Sequence, residues 1–200
     1  DGKSVQVIAL GNPSDAPTGV QFKRAYGGKK FIWRIIRDLT IPLQSRGRVV
    51  IVVAPDLLPT AWLIAKLRRQ KLVADVHEDY LQLLKDRSWA KGVIGFLAGF
   101  IARAATQIAK GAALTTVADS HVPPHNAKNR LVVRNLPDAS LITASGELSV
   151  TPTAIYIGDI RKSRGLKKIL ESAELAQNWK FELIGSVAAA DKDYFENWQR

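Results

Sequence analysis

The chain has 200 residues, 46% of them hydrophobic and 24% charged, enough for one sizeable globular domain or one domain with part of another. It contains no cysteine, which excludes a disulfide framework, a thiolate metal site and a cysteine nucleophile. The formal net charge is +11, and it is segregated: residues 1–150 hold 21 Lys+Arg against 11 Asp+Glu, residues 151–200 hold 8 against 7. Such an excess suits an anionic membrane or an anionic substrate; nucleic acid is not expected, because no nucleic-acid-binding motif accompanies the charge.

In chain order, residues 5–10 read as a buried strand, and 20–24 as a second after the turn Gly11-Asn-Pro-Ser-Asp-Ala-Pro17. Residues 29–43 have helical period, with Ile32, Ile35, Ile36, Leu39 and Leu43 on one face. Residues 49–53 are a continuous apolar run, expected for a parallel strand covered on both faces. Asp56 is placed to cap a helix over 57–69. A strand over 72–76 ends on His77-Glu78-Asp79-Tyr80. A long helical segment spans 89–110, followed by strands at 113–117 and 131–134 and then Asn135-Leu-Pro-Asp138. Between Arg87 and Ala118 there are four cations and no acid, around an uncharged run of 11 residues from Gly92 to Ala102. That run is too short to span a bilayer, which needs about 20 apolar residues. It suits a core helix, with Gly95 and Gly99 allowing close packing, a helix lying in a membrane interface beside Trp89, or a helix buried on one side and lipid-facing at its start.

The polar stretch 144–152 reads as a linker, after which the alternation restarts: a strand at 154–157, a helix at 166–176, a strand at 181–184 and a helix from about 188. Alternating strands and helices predict an α/β fold with parallel sheets, here two domains in series: 1–143, and 153–200 as the start of a second. The opening at Asp1 and the apparently unfinished last helix suggest an internal fragment.

Two places carry chemistry. His77, Glu78, Asp79 and Tyr80 sit where a strand ends, the position at which open α/β sheets bind ligands; a helix cap and a solvated loop would use the same residues. The second place is Gly158-Asp-Ile-Arg-Lys-Ser-Arg-Gly165. A strand runs into a glycine, a turn bearing Arg161, Lys162 and Arg164, and a helix start. Free N–H groups, the positive end of a helix dipole and arginines together make a seat for phosphate; a solvated strand–helix connection is the plainer reading. His121 and His125, in a loop without a carboxylate cluster, do not suggest a metal site. No Gly-x-Gly-x-x-Gly or Gly-x-Ser-x-Gly pattern occurs.

Three segments in this order, Val73-Ala-Asp-Val-His-Glu78, Val132-Val-Arg-Asn-Leu-Pro-Asp138 and Ala154-Ile-Tyr-Ile-Gly-Asp-Ile-Arg-Lys-Ser-Arg-Gly-Leu166, resemble the retaining, nucleotide-sugar-dependent glycosyltransferases of family 4. The resemblance implies the GT-B fold, two Rossmann-like domains across a cleft, the first for the acceptor and the second for the donor. It implies His77 as the catalytic residue near the transferred sugar, and Gly158, Arg161 and Arg164 as ligands of the donor diphosphate. Glu78, Asp79, Tyr80 and Asn135 are then cleft residues on the acceptor side. Arg164-Gly165 matches the family's Lys-Gly pair, whereas Asp159 stands where many members have arginine and Arg161 is a substitute for it. No metal or other cofactor is implied, only the nucleotide-sugar co-substrate. The family's first strand would precede residue 1 and its acidic donor motif would follow residue 200, so the 200 residues are expected to be inactive alone.

The expected partners are thus a nucleotide-sugar, a glycan, lipid-linked or small-molecule acceptor, and an anionic membrane surface. The expected location is cytoplasmic, peripheral on the inner membrane face. A non-catalytic phosphate- or nucleotide-binding α/β module with a regulatory role is the alternative.

Overall fold

The computed structural model describes residues 4–25, 31–85, 87, 89–138, 140 and 151–198. The chain divides into two compact units, Asp1–Leu136 and Pro137–Arg200, each described by itself. Most of the linker expected at 144–152 lies outside the described residues.

The first unit opens with strands β1 (Val5–Ala9) and β2 (Val20–Arg24), paired in parallel from Val5↔Val20 to Ala9↔Arg24. They form a two-stranded sheet of their own. The expectation of a buried first strand is corrected: Val5 and Leu10 are each 51% exposed, because a two-stranded sheet brings no second layer over both faces.

Helix α1 (Phe31–Leu43) leads to β3 (Val49–Val52), α2 (Leu58–Leu67), β4 (Lys71–Val76), α3 (Tyr80–Lys85), α4 (Gly92–Lys110), β5 (Leu114–Val117) and β6 (Arg130–Val132). The four strands make one sheet in the order β3-β4-β5-β6, every pair parallel. Right-handed crossovers between strands that advance in one direction put their helices on one face. The core follows from that: Val52, Leu72, Ala74, Val76 and Val117 of the sheet pack with Leu58, Ala61 and Ala65 of α2 and Ala102, Ala105 and Ala109 of α4. Small side chains let these helices approach the strands closely. Buried Thr115 donates its hydroxyl to the Ala109 carbonyl, joining β5 to α4.

Residues 49–53 are not covered on both faces as expected. β3 is an edge strand, and Val49, Ile51 and Val53 are all more than half exposed. Asp56 does not cap α2, whose N-cap is Leu57 with no side-chain hydrogen bond. It instead accepts from Arg37 of α1 at 3.4 Å, while Thr60 of α2 donates to the Asp38 carbonyl at 2.7 Å. The short α3 follows the helix-cap reading of residues 77–80, with Asp79 as the cap.

α4 has 19 residues and a mean hydropathy of 1.5 over its most apolar window, enough by length and composition to cross a membrane. It is nonetheless a crossover helix of this unit. The strands on either side of it, β4 and β5, are parallel neighbours in one sheet, and its Ala102, Ala105 and Ala109 lie in the core.

The second unit holds β7 (Thr153–Ile157), α5 (Leu166–Leu175), β8 (Lys180–Ile184) and α6 (Lys192–Trp198). β7 and β8 pair in parallel from Thr153↔Lys180 to Ile157↔Ile184. Ile160, Leu166 and Leu170 are buried, packed by Tyr156, Leu183, Val187, Tyr194 and Phe195. Both units are therefore α/β with parallel strands, as the alternating pattern predicts.

Candidate functional site

In the first unit, the carboxyl ends of β4, β5 and β6 bring His77, Asp119 to His121 and Asn135 to one edge of the sheet. His77 follows β4 and its side chain is half exposed. Its Nε2 lies 3.0 Å from Asp75 Oδ2. The other oxygen of Asp75 accepts a hydrogen bond of 2.7 Å from the Thr116 hydroxyl. The register makes this contact natural, since Asp75 and Thr116 are direct cross-strand partners. Residues 75 and 77 share a face by strand alternation, so the carboxylate sits directly behind the imidazole. A carboxylate accepts only, so the neutral ring carries its proton on Nε2 and presents the Nδ1 lone pair away from Asp75. Sequence reasoning missed Asp75 and Thr116; the alternation of strand 71–76 was the available signal.

The other strand-end residues divide by role. Glu78 is exposed. Asp79 caps α3, its Oδ1 accepting from the backbone N–H groups of Leu81 at 3.0 Å and Gln82 at 3.1 Å. Tyr80 lies in the core, only 7% exposed, and its hydroxyl has no hydrogen-bond partner among the described residues. Burial, and then the nearby carboxylates of Asp75, Asp56 and Glu78, push the Tyr80 phenol up to about 12. Asn135 is exposed beyond the end of β6. Asp119 accepts from the His121 backbone N–H at 2.9 Å and from its ring at 2.7 Å, which holds this carboxyl down at about 2.

In the second unit, the turn after β7 is built on two glycines. Gly158 has φ of +145° and Gly185, after β8, has φ of +153°. They pass so closely that a Cβ on Gly185 would lie 1.8 Å from the Gly158 carbonyl oxygen. The Gly158 N–H donates to the Ile184 carbonyl and the Ile160 N–H to the Ser186 carbonyl, each at 2.9 Å. Residues 162–164 form a 3-10 turn, and Gly165, with φ of +81°, opens α5 without any side-chain cap.

The turn's three cations are not equivalent. Arg161 is paired with Asp159, and only a fifth of its side chain is exposed. Lys162 Nζ lies 4.2 Å from the centre of the Tyr194 ring, and its backbone N–H donates to Asp191 at 3.0 Å. Arg164 is exposed and has no charged partner among the described residues. Thus Asp159 occupies Arg161, one of the two arginines expected to hold a diphosphate. Arg164 remains as the cation open to an anion, beside the uncapped start of a ten-residue helix. Asp191 and Gly185 were missed; both come from the next strand–helix connection, more than 20 residues downstream.

Among the described residues, no group of three or more His, Asp or Glu side chains is placed to hold a metal ion. No protein-family model matches the chain, and no curated protein matches it.

Proposed function

We propose that the chain is part of a GT-B glycosyltransferase that moves a sugar from a nucleotide-sugar to an acceptor hydroxyl with retention. The observation that carries this reading is the turn Gly158–Gly165: a strand end, a glycine with positive φ, an exposed Arg164 with no charged partner among the described residues, and a helix start without a side-chain cap. This is the chemistry that a diphosphate needs. As the bond from the sugar's anomeric carbon to the diphosphate oxygen breaks, its electron pair passes to that oxygen. The guanidinium of Arg164 stabilises the charge there, and arginine's planar fork suits two phosphate oxygens at once. The anomeric carbon becomes oxocarbenium-like, the acceptor oxygen bonds to it from the face that the diphosphate leaves, and the acceptor's proton passes to the departing diphosphate oxygen.

His77 supports the same reading from the first unit. Its ring is oriented by Asp75, which is itself fixed by Thr116, so Nδ1 is held ready to accept a hydrogen bond from a sugar hydroxyl. The alternation of strands and helices in both units is the architecture that GT-B enzymes share.

The test is calorimetric titration with a panel of nucleoside diphosphates, followed by assay of the corresponding nucleotide-sugars for transfer. A hydrogen bond between charged groups contributes about 1.5–3 kcal/mol, so Arg164→Ala should weaken diphosphate binding by about 10- to 100-fold. Unchanged affinity in Arg164→Ala would remove the turn from the donor site. Diphosphate binding without transfer by the whole enzyme would instead identify a non-catalytic nucleotide-binding module.

A further inference from the structure

α4 is inside out compared with an ordinary core helix. Its buried face carries Gly99, Ala102, Ala105 and Ala109, while the large apolar side chains of its first three turns are exposed. Val93, Ile94, Phe96, Leu97, Phe100 and Ile101 fall in one arc of the first three turns, with Val93 75%, Phe96 72% and Phe100 63% exposed. Exposed Trp89 precedes them. A surface helix of a globular protein turns its large apolar residues inward, and a contiguous outward patch of this kind marks an interaction site.

The surrounding charge indicates what the patch meets. Lys91 and Arg103 are exposed at its two ends, Arg87 precedes it, and no acidic residue occurs from Arg87 to Ala118. Aromatic and aliphatic side chains flanked along the chain by cations and by no acid match a bilayer interface with anionic headgroups: the apolar groups enter the acyl boundary and the cations remain at headgroup level. A second copy of the chain fits less well, because two such patches face to face would bring like-charged flanks together.

We propose that the first three turns of α4, with Trp89, dock the first unit on a membrane containing anionic lipid. The helix lies in the interface rather than across it, because its second half is held against the sheet. α4 connects the end of β4 to the start of β5, so its apolar turns lie toward the carboxyl end of the sheet, the end that carries His77. Docking therefore presents that edge to the membrane surface. It is independent of donor binding at the Gly158 turn, and its test needs no nucleotide.

The 200-residue chain is mixed with vesicles of phosphatidylcholine alone, or of phosphatidylcholine with phosphatidylglycerol, and floated on a density gradient. It should float with the phosphatidylglycerol vesicles, and added salt should reduce the bound fraction. The double variant Phe96→Ser/Phe100→Ser should bind about tenfold more weakly or worse, with an unchanged circular dichroism spectrum and melting temperature, since both side chains already face solvent. Lys91→Glu/Arg103→Glu should lose the preference for anionic vesicles. Equal flotation with both vesicle types, or full binding by the Phe96/Phe100 variant, overturns the proposal. So does a dimer that the variant dissolves while the wild-type chain ignores vesicles.

Discussion

Replacing Gly185 by alanine should disable the second unit, whereas the same change at Gly165 should be tolerated. Both residues have positive φ, at +153° and +81°. A side chain in such a conformation costs roughly 1–2 kcal/mol, offset in part because alanine restricts the unfolded chain. At Gly165 there is no further cost, since a Cβ there meets nothing within 4 Å. At Gly185 the Cβ would stand 1.8 Å from the Gly158 carbonyl oxygen, a backbone atom. The two segments must separate, which breaks the bonds from Gly158 to Ile184 and from Ile160 to Ser186. Two backbone hydrogen bonds at about 1 kcal/mol each, added to the strain, give about 3–4 kcal/mol. That is a large part of the stability of a typical domain. Urea unfolding combined with amide hydrogen exchange of β7 and β8 measures both variants. If Gly185→Ala falls within 1 kcal/mol of Gly165→Ala, with the Gly158 and Ile160 amides still protected, the close approach does not hold the turn.

Tyr80→Phe removes a buried hydroxyl that lacks a partner among the described residues, and should raise stability by about 1 kcal/mol in thermal or urea unfolding. The folded phenol titrates at about 12 and the unfolded one at 10.0, so the neutral form is favoured by folding. Its contribution is therefore fully present below pH 10 and lost as the pH rises towards 12; in Tyr80→Phe this loss should vanish from the pH–stability curve. Asp159→Asn removes the anion paired with Arg161 and should tighten diphosphate binding by about three- to tenfold, measured by titration. A weaker complex would show that Asp159 helps hold the turn's shape. Asp75→Ala releases the His77 ring, and nitrogen NMR should change from the Nε2–H tautomer alone to a mixture. An unchanged spectrum would mean that Asp75 does not orient His77.

The α/β class was legible because apolar runs such as residues 49–53 and 72–76 alternate with helical periods, and alternation fixes parallel pairing. Burial was less legible. Residues 5–10 and 49–53 read as buried because an apolar run says that a strand is covered somewhere, not which face meets a helix. Asp56 has the composition of a cap, but Arg37, 19 residues earlier, draws its carboxylate away. α3 was legible only through the helix-cap reading of a motif also read for chemistry, since Asp79 before Tyr80-Leu-Gln-Leu-Leu84 is a helix-start signal. At the sites, His77 and the basic turn could be found from local pattern. Their supports could not, since Thr116 reaches Asp75 across 41 positions and Gly185 meets Gly158 across two separate connections. For α4 the sequence supplied an apolar run, but only packing shows that its alanines face in and its phenylalanines face out.

The central claim is that the Gly158–Gly165 turn seats a diphosphate. The most direct measurement is an amide NMR titration of the isotopically labelled chain with pyrophosphate and with nucleoside diphosphates, which registers even weak binding. Shifts concentrated at Gly158 and from Lys162 to Leu166, and abolished by Arg164→Ala, are the expected result. Shifts located elsewhere, or surviving in Arg164→Ala, would contradict it.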